Sequence, residues 1–292
     1  MDANNFVDRW WKSKDGLKLH ARDYAGAAGD ARLPVVAIHG LTRNARDFED
    51  VAPYIAATGR RVLALDVRGR GESAYDPTPM NYHPATYAHD VVALFDQMGV
   101  SRAIFLGTSM GGIITMALSA ILPPAIAGAI LNDVGPEVSP VGLARIASYV
   151  GKAAPVHSWE DAAAAVKLNN EVALPHYTAA DWLAFARRTF RAGEDGVPKL
   201  DYDMDITAPL RAVGNAALAP ALWPMFKKLA RKRPILTIRG ATSDILDPKT
   251  VKKMQRAAPH MGYVEIPNIG HAPMLDEPAA KSAILDFLSK AP

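Results

Sequence analysis

The sequence carries the pattern G-x-S-x-G at Gly107, Ser109 and Gly111, between an apolar stretch and an uncharged helical run. Between a strand and a helix, this pattern presents a serine hydroxyl on a strained turn, and the two glycines let neighbouring backbone pass close to it. A serine hydroxyl is a poor nucleophile by itself and needs a base and a group that orients the base. The pattern therefore predicts Ser109 as a nucleophile whose two partners lie elsewhere in the chain.

Candidates for these partners follow two later predicted strands. His271 comes directly after Gly270, and Asp244 lies in a loop after the strand that ends at Arg239. His271 would take the serine proton and return it to the leaving group, while Asp244 would hold the imidazole in the required tautomer. Parallel strands end at the same edge of a sheet, so loops far apart in the sequence meet there.

The choice of the acid has an alternative. Asp133 also follows a predicted strand and would serve in a variant arrangement. Asp247 precedes Pro248 and is interpreted as the N-cap of the next helix. We predict Asp244 as the acid, with Asp133 as the second candidate.

Backbone amides are predicted to bind the negative oxygen that develops during attack. His39 and Gly40 follow a predicted strand, and the N–H groups of Leu41 and Met110 would point at that oxygen. The loss of one such donor typically costs about 2.7–4 kcal/mol of transition-state stabilisation. Because the donors are backbone groups, the turn at Gly40 matters more than the identity of residue 41.

The elements that position these residues are short apolar strands alternating with helical patterns. This order is typical of a doubly wound, mostly parallel α/β sheet, and an amino-terminal hairpin near residues 8–23 predicts an antiparallel start. The predicted parallel strands are Leu33–Ile38, Arg61–Leu65, Arg102–Leu106, Ala127–Leu131, Pro234–Arg239 and Tyr263–Ile266, and the predicted core helices are Phe48–Thr58, Pro84–Met98, Met110–Leu122, Ala221–Arg231, Pro248–Ala258 and Glu277–Ser289.

The alternation stops after residue 134, where the sequence becomes helical without an obvious strand. Ser158 with Asp161 and Thr178 with Asp181 have the spacing of capping boxes ahead of apolar helical runs. We therefore expect a core domain formed by residues 1–134 and 221–292, with residues 135–220 inserted as a helical cap.

The segment 69–74, after a predicted strand, formally matches a dinucleotide-binding fingerprint. Pro77 and Pro79 stand where the phosphate-binding helix would have to continue, so the match fails in its own context. We interpret the segment as a loop held near the site by Asp66 and Arg68.

Composition excludes several classes of function. The chain has 292 residues, 49% of them hydrophobic, a formal net charge of +3 and no cysteine, which excludes disulfides and cysteine nucleophiles. The small charge does not favour nucleic acid as a partner. The uncharged stretch 103–131 exceeds the roughly 20 residues of a membrane-spanning helix, but glycines and prolines divide it. We expect no membrane span and no metal. We also expect a cytoplasmic location, because the amino terminus has no apolar targeting region.

These motifs together resemble the capped serine hydrolases of the α/β-hydrolase fold family. The resemblance covers nearly the whole chain, through His39-Gly40, the segment 66–73, the turn at Ser109, the loop at Asp244 and the segment 270–273. It implies catalysis without a metal or an organic cofactor. In epoxide hydrolases and haloalkane dehalogenases of this fold the nucleophile is an aspartate, so Ser109 argues against both activities.

The expected function is hydrolysis of a carboxylic ester or lactone of a small, largely apolar substrate through an acyl-enzyme. One alternative on the same residues is a C–C bond hydrolase for ring-cleavage products. An alternative of another class is a ligand-binding receptor that uses the pocket as a sensor. The oligomeric state stays open, a homo-oligomer included.

Overall fold

The computed structural model describes residues 6–26, 32–152, 155–213 and 222–292. The strands are β1 (Val7–Lys12), β2 (Lys18–Tyr24), β3 (Val35–Ile38), β4 (Val62–Asp66), β5 (Ala103–Thr108), β6 (Ile126–Asn132), β7 (Phe190–Ala192), β8 (Pro198–Leu200), β9 (Ile235–Gly240) and β10 (Gly262–Ile266). The helices are α1 (Val51–Ala56), α2 (Pro84–Met98), α3 (Met110–Ile121), α4 (Pro140–Tyr149), α5 (Trp159–Asn170), α6 (Ala179–Thr189), α7 (Ala208–Val213), α8 (Leu222–Ala230), α9 (Pro248–Ala257) and α10 (Pro278–Lys290). Short 3-10 helices lie at Ala45–Phe48, Pro79–Asn81, Pro123–Ala125 and Met204–Thr207.

The main sheet has the order β1-β2-β4-β3-β5-β6-β9-β10 in the described residues. β1 and β2 run antiparallel, and the six strands from β4 to β10 in this order are parallel. The predicted doubly wound sheet with an antiparallel start is confirmed. Its strand order brings the carboxyl ends of β5, β6 and β9 side by side, which is where the site lies.

Burial on both faces explains the continuous apolar strands. Every residue of β6 is buried, as are the Val, Ile and Leu residues of β3 and β5. One hydrophobic cluster includes side chains of α2, α3 and α8, and the other includes side chains of α1 and α10, so each face of the sheet has its own core. The uncharged stretch 103–131 divides into β5, α3 and β6, and no helix in the described ranges is long and apolar enough to cross a membrane.

We call residues 135–152 and 155–213, between β6 and α8, the cap segment. It contains α4 to α7, and the caps of two of its helices form as predicted. Ser158 accepts from the Asp161 amide, and Thr178 forms a complete capping box with Asp181. The expected end of the cap at residue 220 and the start of the core at 221 lie outside the described residues.

The expectation of a cap without strands is wrong. β7 and β8 form an antiparallel hairpin, with Phe190 opposite Leu200 and Ala192 opposite Pro198. Each strand has only three residues, which is too short to show the alternation that identifies a strand in a sequence.

The loop after β4 is held by Arg68, as the sequence analysis predicts. The Arg68 side chain is only 1% exposed, and its guanidinium binds both oxygens of Asp90 at 2.6 and 2.7 Å as well as Asp76 and Asp15. Arg68 therefore connects this loop to α2 and to the β1–β2 turn.

Replacement of Arg68 by Met should destabilise the fold by about 3–5 kcal/mol, because it leaves buried carboxylates without their counter-charge. Arg102 is exposed, so Arg102→Met should change the free energy of unfolding by less than about 0.5 kcal/mol. Urea denaturation of both variants at neutral pH checks this, and a loss below about 1 kcal/mol for Arg68→Met would contradict it.

Candidate active site

Ser109 lies on a strained turn between β5 and α3. Its φ is +52° and its ψ is −114°, a conformation that L-residues rarely adopt. A Cβ on Gly107 would lie 2.5 Å from Gly112 N, and a Cβ on Gly111 would lie 2.0 Å from the Ile38 carbonyl oxygen. The close approach of backbone that the two glycines predict is therefore confirmed.

The His271 side chain reaches Ser109 from the loop after β10. His271 Nε2 lies 2.9 Å from Ser109 Oγ, a hydrogen-bond distance, and the imidazole is 10% exposed. The structure thus brings together the predicted nucleophile and the predicted base, although 162 positions separate them in the chain.

The carboxylate beside His271 belongs to Asp133, directly after β6. Asp133 Oδ2 lies 2.7 Å from His271 Nδ1 and accepts from Ser243 Oγ at 2.6 Å, while Oδ1 accepts from the Gly240 amide at 3.0 Å. The carboxylate is fully buried, and Asp133 has a φ of +55°. Three donors therefore satisfy and orient it, with one oxygen facing the imidazole.

The prediction of Asp244 as the partner of His271 is wrong. Its carboxylate binds the Arg145 guanidinium of α4 through two hydrogen bonds, at 2.5 and 2.9 Å, and its side chain is 28% exposed. Burial favours the protonated acid, but the hydrogen bonds and charge of Arg145 outweigh it and leave the pKa of Asp244 below its ordinary value. Asp133 and Asp244 both follow parallel strands, so their positions in the sequence do not distinguish them. Arg145, the cap residue that binds Asp244, is not part of a recognisable motif.

Two predicted site-shaping residues hold the turn after β3. The Val67 amide donates to His39 Nε2 at 3.1 Å, so His39 Nδ1 carries the proton and donates to the Gly40 carbonyl at 2.7 Å. Burial lowers the pKa of His39 to about 4, which keeps the imidazole neutral. The Leu41 carbonyl accepts from Arg70 Nε at 3.0 Å, which fixes the same turn.

The predicted oxyanion donors flank the serine. Leu41 lines the cavity that contains Ser109, and Met110 is the first residue of α3. The first amides of a helix have no partner within the helix, so the Met110 N–H is suited to bind a negative oxygen. Their role as oxyanion donors stays a prediction.

The cavity that contains the predicted nucleophile, which we call the catalytic cavity, lies between the sheet edge and the cap segment and has a volume of about 90 Å³. Core residues Gly40, Ser109 and His271 form one side, and apolar cap residues such as Ile146 and Phe185 form the other. In the described parts of the chain, no group of three or more His, Cys, Asp or Glu residues is arranged to hold a metal ion. The arrangement can activate a serine hydroxyl towards a small electrophile in a partly apolar pocket.

The chain belongs to the alpha/beta hydrolase fold family, whose model matches residues 34–278. Its sequence is 46% identical to that of an alpha/beta hydrolase from Novosphingobium aromaticivorans. The crystal structure of that protein matches this one with a TM-score of 0.91 over 98% of each chain. This chain is 33% identical, over 96% of both chains, to a 3-hydroxybutyrate-oligomer hydrolase from Cupriavidus necator. It is 24% identical to the bifunctional epoxide hydrolase 2 of Sus scrofa over 93% of this chain and 53% of that protein.

If Asp133 orients His271, Asp133→Asn should lower kcat on p-nitrophenyl butyrate by about 10⁴-fold, since an amide cannot stabilise the imidazolium. Asp244→Asn should lower kcat less than tenfold. Steady-state kinetics on variants checked for folding by circular dichroism measure both, and a greater loss in Asp244→Asn would restore Asp244 as the acid.

The turn at Ser109 should not tolerate a side chain at position 111. Gly111→Ala is expected to destabilise the protein by about 3 kcal/mol or more, because the new methyl group collides with backbone. Gly262→Ala in β10 is the matched control, with the end of the Leu236 side chain as its nearest neighbour at 3.3 Å, and should cost less than about 1 kcal/mol. Equal urea midpoints for the two variants would contradict this.

Proposed function

We propose that this hydrolase is a serine hydrolase that cleaves carboxylic esters or lactones of small, largely apolar substrates. The continuous chain of hydrogen bonds from Asp133 through His271 to Ser109 carries the proposal. It is the geometry that converts a serine hydroxyl into a nucleophile for acyl transfer.

In the proposed reaction, Ser109 Oγ attacks the ester carbonyl while His271 Nε2 takes the hydroxyl proton. The buried Asp133 carboxylate stabilises the resulting imidazolium, and the Leu41 and Met110 amides bind the oxyanion. Collapse of the tetrahedral intermediate expels the alcohol, which receives the proton from His271. Water, deprotonated by His271, then attacks the acyl-enzyme and releases the carboxylic acid.

The comparison with known proteins supports an ester as the bond that is cleaved. The name of the Cupriavidus necator relative specifies an oligomer of 3-hydroxybutyrate. The hydroxyl and carboxyl groups of such units join as esters, so we include esters between hydroxy acids among the substrates. A serine, rather than an aspartate, at position 109 argues against the epoxide chemistry named in the Sus scrofa relative. The cytoplasmic location and the oligomeric state stay predictions.

Ser109→Ala should lower kcat/KM on p-nitrophenyl acetate, butyrate and octanoate by at least about 10⁴-fold, because no other group supplies the nucleophile. Ser289→Ala, at an exposed position on α10, is the control and should leave kcat/KM unchanged. The preference among the three chain lengths measures how deep the acyl pocket is.

Turnover retained by a folded Ser109→Ala variant would overturn the assignment of the nucleophile. Absence of turnover by the wild type on all three esters would overturn the ester hydrolase, and C–C bond substrates or a receptor function would then take its place.

A further inference from the structure

A second cavity under the cap segment adjoins the catalytic cavity. We call it the outer chamber, and its volume of about 360 Å³ exceeds the 90 Å³ of the catalytic cavity. Five residues line both spaces, namely Thr42, Arg43, Tyr149, Asn170 and Phe185. A substrate whose ester lies at Ser109 therefore has room for a further part of its structure in the outer chamber.

The charges on the chamber wall have one sign. Lys152 and Arg43 line it, and no Asp or Glu is present among its described lining residues. The Lys152 ammonium has no hydrogen bond or ion pair with the described residues. By contrast, the nearby Arg145 binds Asp244, and Arg188 binds Glu49 and Asp50. Lys152 is exposed, and it is a cation on the chamber wall that is available to pair with an anionic group of a ligand.

Arg43 adds directed donors where the two cavities meet. Its side chain is 13% exposed, its Nε and Nη2 bind the Asp47 carboxylate, its Nη1 donates to Thr189 Oγ1, and it stacks 4.0 Å from the Phe185 ring. Asp47 balances its charge, so the net positive charge of the wall comes from Lys152. One N–H on each terminal nitrogen of Arg43 has no acceptor among the described residues, and the contacts hold the guanidinium in place.

The rest of the wall is suited to an aliphatic chain that joins the ester to a distant group and that also carries polar atoms. Val156, Val166, Phe190 and Leu200 supply apolar surface, and polar side chains such as Tyr202 supply hydrogen-bonding groups. An ester with a free carboxylate at its far end matches both the walls and the charge.

We propose that the outer chamber is a subsite for the carboxylate end of an ester substrate, with Lys152 as the ion partner and the free Arg43 N–H groups as donors. The proposal rests on the proposed function, in which Ser109 cleaves the ester. It assigns the substrate class as monoesters that carry a second, free carboxylate.

The test uses pairs of esters that differ only in charge. One pair has the carboxylate in the acid half, monobutyl adipate, and its primary amide as the neutral counterpart. The other has it in the alcohol half, 6-(butanoyloxy)hexanoate, again with its primary amide. Shorter and longer spacers of both pairs extend the series. The quantity compared is the ratio of kcat/KM for the anionic ester to that for the neutral amide.

In the wild type, the anionic member of at least one pair should have the higher kcat/KM, by about tenfold at its best spacer length. Lys152→Met should abolish this preference by lowering kcat/KM for the anionic ester far more than kcat/KM for the neutral ester, while Lys152→Arg should retain the preference. Lys167→Met is the control, because Lys167 is an exposed lysine on α5 that does not line the chamber. Added salt should weaken the preference in the wild type.

Calorimetric titration of Ser109→Ala with the same compounds separates this proposal from the proposed function. Tighter binding of the anionic compounds that disappears in Ser109→Ala/Lys152→Met supports the subsite even if the wild type turns nothing over. Two results would overturn the subsite and leave the ester hydrolase standing. One is cleavage of the ester bond in the neutral compounds with no preference for the anionic ones, and the other is a preference that Lys152→Met leaves intact.

Discussion

The site depends on one buried carboxylate. A fully buried, ionised aspartate is costly unless hydrogen-bond donors surround it, and Asp133 has three, from Gly240, Ser243 and His271. These donors come from the end of β9 and from the two loops that follow β9 and β10. The Ser109 amide donates to the carbonyl of Asn132 in β6, at 2.9 Å, so the residues directly before and at Asp133 contact both Ser109 and His271.

The cap segment is attached to the core by charged groups around this centre. Arg145 of α4 binds Asp244 in the loop after β9, and Arg188 of α6 binds Glu49 and Asp50 ahead of α1. The same cap helices supply walls of both cavities. Asp244 therefore contributes by holding the cap over the site, while Asp133 faces the imidazole.

Local patterns predicted most of the fold and two of the three site side chains. The strand–turn–helix context of Ser109 and the glycine before His271 are local signals, and both residues lie where they were expected. The acid could not be chosen this way, since Asp133 and Asp244 both follow parallel strands. The contacts of the two carboxylates in the folded chain show which of them faces His271. Arg145, which binds Asp244, lies 99 positions away from it in a helix without a motif. The β7–β8 hairpin was missed because its strands are too short to show a period.

Proton NMR of the imidazole of His271 tests the central claim most directly. A hydrogen bond from Nδ1–H to a buried carboxylate should give a resonance far downfield, assigned by ¹⁵N-histidine labelling and by its loss in His271→Gln. We expect this resonance in the wild type and in Asp244→Asn, and its loss or marked upfield shift in Asp133→Asn. Its persistence unchanged in Asp133→Asn together with its loss in Asp244→Asn would contradict the account.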